Sequence, residues 1–115
     1  MKYRLEDYCF GRVVVDGEVH LKDVIVYDGG VISNWRRQQG HSLVPEDLDA
    51  VMVEQPKIII VGCGASNRLV VPGTTLDWLE KQGVSVIALP TGEACRRYNE
   101  IGSVGRVVAA LHLTC

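Results

Sequence analysis

The chain has no C-x-x-C pair, no basic excess, no long apolar run and no set of residues at catalytic spacing. Each lack excludes something. Its four cysteines, Cys9, Cys63, Cys95 and Cys115, lie far apart, which argues against a zinc ribbon or a thioredoxin motif. The three histidines are equally scattered, so the spacing predicts no metal and no cofactor. Net charge is -2 at pH 7, so nothing advertises a nucleic-acid partner, whose phosphates demand clustered cations. The doublets Arg36-Arg37 and Arg96-Arg97 read as solvated surface pairs. No run approaches the ~18–20 apolar residues that span a bilayer, because Gly105 and Arg106 break the longest, Val104 to Leu113. Met1 to Asp7 mixes charges and lacks the apolar segment of a signal peptide. The expectation is a cytoplasmic protein with reduced thiols and no membrane contact.

At 115 residues and 47% hydrophobic content, the chain predicts one domain, 1–115, with a core that needs no staples. Phe10 to Val15 and Glu18 to Lys22 read as strands joined by Asp16-Gly17, a type I′ hairpin turn whose central residues both need positive φ. Val24 to Tyr27 extends this antiparallel unit. Pro45 suits the first position of a helix carrying Leu48, Val51 and Met52. The run 58–62 and the run 84–89 are buried strands. A helix over 74–82 joins them, opened by a capping box at Thr74-x-x-Asp77 and closed by Gly83. A helix from Thr91 to Ile101 and a strand over 106–113 complete the chain. The pattern predicts an α/β fold: one three-layer domain, a central mixed sheet flanked by helices, and an antiparallel β-hairpin unit at the amino end. Strand 58–62 is expected to be central and parallel to strand 84–89.

Two buried strands that stop on small-residue loops predict a crevice above their carboxyl ends. Its expected lining is Gly62, Cys63, Gly64, Ser66, Thr91, Gly92, Cys95 and Asn99, with Trp35, Arg36 and His41 at the rim. Gly62-Cys63-Gly64-Ala65-Ser66-Asn67 is no dinucleotide fingerprint, since Asn67 replaces the third glycine and Pro72-Gly73 blocks the helix that should follow. It reads as a tight turn or as a small anion loop. Thr91 reads as the N-cap of the last helix, with a ligand contact from Thr91 and Gly92 as the alternative. Cys63 and Cys95 read as buried apolar groups or as thiols that approach one another. Of the two, Cys95 is the better candidate for reactivity, being close to a helix N-terminus. Asn99 either fixes a loop or meets a ligand. His112 reads as packed or hydrogen-bonded. Trp35-Arg36 reads as a stacked lip on the crevice or as an exposed partner anchor.

Trp35-Arg36, Gly62-x-Gly64, Leu79-x-Lys81-x-Gly83, Thr91-x-x-Ala94-x-x-x-Tyr98-Asn99 and the ending Gly105 to Cys115 resemble a small-domain family of undefined biochemistry. It includes the adipogenesis-associated protein of animals and a mitochondrial complex I assembly factor. The ending is most similar to the adipogenesis-associated type. The likeness covers about residues 8–115, and the Thr-Ala-Tyr-Asn helix is its most specific part. It implies a mixed sheet with an added β unit, no established activity, and a role in assembly or regulation with a protein partner. Cys63 between the glycines and Ile101 to Val104 depart from the family pattern. The import extension of the mitochondrial member has no counterpart before Tyr8. Two functions follow from the sequence. The first is a non-enzymatic binding, assembly or regulatory domain, with a small-ligand or anion crevice. The alternative is a small-molecule enzyme or redox protein using Cys95 or Cys63.

Overall fold

The computed structural model describes residues 3–115. Its strands are β1 (Leu5–Cys9), β2 (Arg12–Val15), β3 (Glu18–His20), β4 (Val24–Tyr27), β5 (Gly30–Ile32), β6 (Ile58–Cys63), β7 (Ser85–Leu89) and β8 (Val107–His112). Its helices are α1 (Asp49–Met52), which continues a 3-10 turn at Pro45–Leu48, α2 (Gly73–Lys81) and α3 (Thr91–Ile101).

A five-stranded sheet runs in the order β5-β4-β8-β6-β7, and a three-stranded sheet in the order β1-β2-β3. β6 is parallel to β7 and to β8, while β4 is antiparallel to β8 and to β5. The β6–α2–β7 unit therefore forms as expected. The central place belongs to β8, with β6 beside it, because the chain after α3 crosses over β6 to reach its far side. β8 is buried at every position, as is β6 from Ile59 onward, which is why both read as continuous apolar runs.

Alternation along these strands makes two cores. Val24, Val26, Ile60, Val107, Ala109 and Leu111 point toward α3 and the smaller sheet, meeting Ala94, Cys95 and Tyr98 of α3 with Leu5, Val13 and Val15. Ile25, Ile59, Val61, Cys63, Val108 and Ala110 point the other way, onto Leu79 of α2 with Trp35, Leu43, Leu48, Val51 and Leu69. A period of two assigns neighbours in one strand to opposite faces.

The α/β class, the mixed sheet and the added antiparallel unit stand as the sequence predicts. Asp16 (φ 48°) and Gly17 (φ 82°) both take positive φ in the hairpin turn. Three details differ. The unit 10–27 divides between the two sheets, since β4 leaves β2 and β3 to pair with β8. β1 was not foreseen, because Leu5-Glu6-Asp7-Tyr8-Cys9 lacks an apolar face and its register shifts between Glu6 and Cys9. The capping box at Thr74 does not form: α2 opens at Gly73 after Pro72. Thr75, one residue on, is buried and donates its hydroxyl to Leu43 O at 2.8 Å. Among the described residues no helix is long and apolar enough to cross a membrane.

Candidate functional site

The glycine turn after β6 and the start of α3 do come together, but they touch rather than enclose a space. Thr91 is wholly buried. Its Oγ1 accepts from Gly64 N–H at 2.8 Å and donates to His112 O at 2.5 Å. Thr91 is thus not an N-cap; α3 starts after Pro90 with no side-chain cap. Instead it ties the tip of β6 to the tip of β8. The glycines exist to let neighbours in. A Cβ on Gly62 would lie 2.9 Å from Leu111 Cδ2 and 3.0 Å from Thr91 Oγ1. One on Gly64, where φ is +97°, would lie 2.4 Å from the Cys115 carbonyl. Ala65 N–H and Arg68 N–H bond Thr114 O and Cys115 O at 2.6 and 3.2 Å. The chain's own last residues and Thr91 fill the predicted crevice.

The expected lining residues therefore scatter. Gly62, Gly64 and Thr91 form the packed knot, and Ser66 is exposed outside it. Cys63 faces the α2 core and Cys95 the α3 core, on opposite sides of the sheet, so the two thiols do not share a site. Burial raises the Cys63 thiol. It pushes Cys95 up to about 12, with Arg96 offsetting only part. Cys95, the better candidate for reactivity, has its side chain in the core rather than at the helix tip, where burial opposes the helix end. Asn99 fixes a strand: its Oδ1 accepts from Leu5 N–H at 2.9 Å and its Nδ2 donates to Leu5 O at 2.7 Å. Gly92, Cys95 and Asn99 then line a cleft of about 270 Å³ against β1.

The polar chemistry sits at the same end of the sheet, displaced to the tips of β8 and β4. Asp23, just before β4, receives Arg37 Nη1 at 2.8 Å and Leu113 N–H at 2.8 Å, and lies 2.9 Å from His112 Nδ1. Burial alone would raise the Asp23 carboxyl, but bonds from His112, Leu113 and Arg37 outweigh it and hold it below its ordinary value. Arg37 also lies 3.0 Å from His112 Nδ1, grips Gly40 O at 3.1 Å, and stacks 4.8 Å over the Trp35 ring. Trp35 is buried and donates Nε1–H to Asp47 O at 2.9 Å. The residue stacked on Trp35 is thus Arg37, not Arg36, and Arg37 is no solvated surface charge: its side chain is 6% exposed. Arg36 is exposed. It borders a cleft of about 420 Å³ with Leu21, Lys22, Asp23, Trp35 and Thr114.

His41 stands beside this cluster, its ring edge-on to His112 at 5.8 Å and its Nε2 3.8 Å from Cys115 Sγ. The donor atoms of His41, His112 and Cys115 all lie within 4.8 Å of one another. Histidines and a cysteine that look scattered in sequence thus meet in space, because the loop after β5 folds back over the end of β8. The sequence reading missed Asp23, Arg37 and Cys115 as site residues. The spacing His112-x-x-Cys115 at a strand end was the available signal. Asp23 and Arg37 carried none, since a buried pair of opposite charges looks like two surface residues in sequence.

A mixed sheet with its parallel-strand tips tied shut, a second small antiparallel sheet and a buried Asp–Arg–His cluster define a compact α/β domain type. The family model described as "Protein of unknown function (DUF498/DUF598)" matches residues 5–113, and the chain belongs to that family. A solved structure named MT938 is similar: 30% identical over 99% of this chain and 100% of its own, with a TM-score of 0.81. The conserved hypothetical protein PH1505 of Pyrococcus horikoshii OT3 is 29% identical, covering 97% of this chain and 99% of its own, with a TM-score of 0.84. A Bordetella pertussis protein described as an Mth938-like domain shares the fold at 22% identity and a TM-score of 0.68, covering 96% of this chain and 85% of its own.

Proposed function

We propose that the chain is a binding or assembly domain without catalysis of its own, and that it receives a protein partner on the face around Trp35, Arg36 and Lys22. The observation that carries this reading is the sealed tip of β6. An open α/β sheet uses the space beyond its parallel strands for ligands, and here Thr91 and Cys115 fill it. The alternative, a thiol enzyme or redox pair, is disfavoured because Cys63 and Cys95 lie on opposite faces with both thiols raised by burial. The resemblance to the adipogenesis-associated protein and the complex I assembly factor supports an assembly role. A reducing, cytoplasmic setting suits four unpaired cysteines.

Leu21 is 66% exposed, beside the exposed cations Lys22 and Arg36 on the same cleft. That combination suits a partner segment pairing an acidic group with an apolar one. A small anion held by the two cations is the lesser form of the same reading. The test is quantitative affinity capture from cell extract. The wild-type chain is compared with a Lys22→Glu/Arg36→Glu variant of unchanged circular dichroism. The proposal expects a defined protein, retained at near-stoichiometric yield by wild type, to drop about tenfold or more on the variant, as for disrupted charge complementarity. Equal recovery on both baits contradicts it.

A further inference from the structure

We propose that His41, His112 and Cys115 form a binding site for a divalent zinc-class metal ion, with the fourth coordination position open to solvent. The site adjoins the proposed partner cleft, which Asp23 and Thr114 help to line, but its three ligands are not among that cleft's residues and it does not rest on that reading.

The donor set comes first. Two imidazoles and a thiolate are borderline-soft ligands that suit Zn²⁺. Tetrahedral zinc, with Zn–N of ~2.0–2.1 Å and Zn–S of ~2.3 Å, sets nitrogen and sulfur ligands about 3.6 Å apart. His41 Nε2 and Cys115 Sγ are 3.8 Å apart. The full set spans at most 4.8 Å, so a rotation of exposed His41 by about an ångström closes it.

The surroundings of His112 supply the independent observation. A metal-bound histidine typically gives its other ring proton to a carboxylate, which fixes the tautomer and the ring. His112 Nδ1 lies 2.9 Å from Asp23 Oδ2, a carboxylate that also receives Arg37 Nη1 and Leu113 N–H. Proton on Nδ1 leaves Nε2 as the metal-binding lone pair. Arg37 Nη2, also 3.0 Å from Nδ1, then remains engaged with Gly40 O while Nη1 holds Asp23.

The backbone on both sides is fixed. His41 O accepts from Val70 N–H at 2.9 Å, and Arg68 N–H donates to Cys115 O at 3.2 Å. His112 and Cys115 leave the end of one strand three residues apart. The backbone at His41 and Cys115 is therefore held while the His41 side chain turns to close the site, and exposed His41 with half-buried Cys115 leaves an entry path.

The test uses the untagged chain with Cys9→Ser, so that the exposed competing thiol is gone, after dialysis against chelator. Co²⁺ is titrated in and followed by absorbance. The proposal predicts one equivalent bound, with the sulfur-to-metal charge-transfer band of a cobalt thiolate and the intense visible bands of tetrahedral cobalt, and displacement by one equivalent of Zn²⁺. His41→Ala and Cys115→Ser, each checked for native circular dichroism, should each weaken Zn²⁺ binding by about 100-fold. His41 is exposed, so its variant separates lost binding from lost folding. The absence of a thiolate band at micromolar metal overturns the site. So does binding that persists unchanged in both variants.

Discussion

Thr91 shows how a single side chain closes a functional-looking place. Its hydroxyl serves one buried donor and one buried acceptor on different strands. Valine has the same shape and neither capability. Thr91→Val strands Gly64 N–H and His112 O inside the protein, at roughly 1–3 kcal/mol for each unsatisfied group. A loss of about 2–4 kcal/mol is expected in urea unfolding, with Thr91→Ser recovering most of it. A loss below about 0.5 kcal/mol, the noise of a surface substitution, would mean that the hydroxyl does not bind the strand tips. The sequence exposes Thr91 as the start of a helix but not its direction. A threonine before a helical stripe is usually a cap. Only the approach of β8, set by residues far along the chain, turns it inward.

Among the elements, β1 and α3 depend on one another most directly. β1 carries little apolar surface of its own, and Asn99 holds Leu5 by both backbone groups, as a neighbouring strand would. Asn99→Ala should cost about 2 kcal/mol for the two bonds. It should also speed amide exchange at Leu5 toward that of an unprotected strand, while β8 amides stay protected. Unchanged exchange at Leu5 would show that β1 is held by β2 and packing without Asn99. The same pair explains what could be read in advance. β6 and β8 are almost wholly apolar, and α2 lies between glycine stops, so pattern and turn chemistry sufficed for the βαβ unit, although β7, expected to be buried, is a half-exposed edge strand. The hairpin turn was legible because Asp16-Gly17 is chemically constrained. β1 was not, since its strand character comes from its partner and not from its own residues. The site was half legible. The carboxyl-end rule named the correct end of the sheet. Which strand tips are open depends on the path of the loop bearing His41 and of residues 113–115, which no local pattern encodes.

At the scale of the whole molecule, the sheet separates two apolar cores and concentrates its polar chemistry at one end, around Asp23, Arg37, His41 and His112. The glycine-turn end of β6 is sealed by Thr91 and Cys115, Cys63 and Cys95 lie in separate cores, and the proposed partner face lies beside that end. Iodoacetamide labelling of the folded chain after removal of metal by chelator, across pH 6–9 and read residue by residue by mass spectrometry, is the sharpest check on the sealed end. Cys95, pushed up to about 12 by burial, stays protonated through that whole range. Cys63 is raised by the same cause and is buried on the other face. Alkylation needs both the thiolate and access, and rising pH supplies the first but not the second. Cys9, which is exposed, and Cys115, which is half-buried, are expected to be modified while Cys63 and Cys95 remain unmodified until the chain is unfolded. Rapid labelling of Cys63 or Cys95 in the folded protein, at a rate within about tenfold of the unfolded chain, would contradict it.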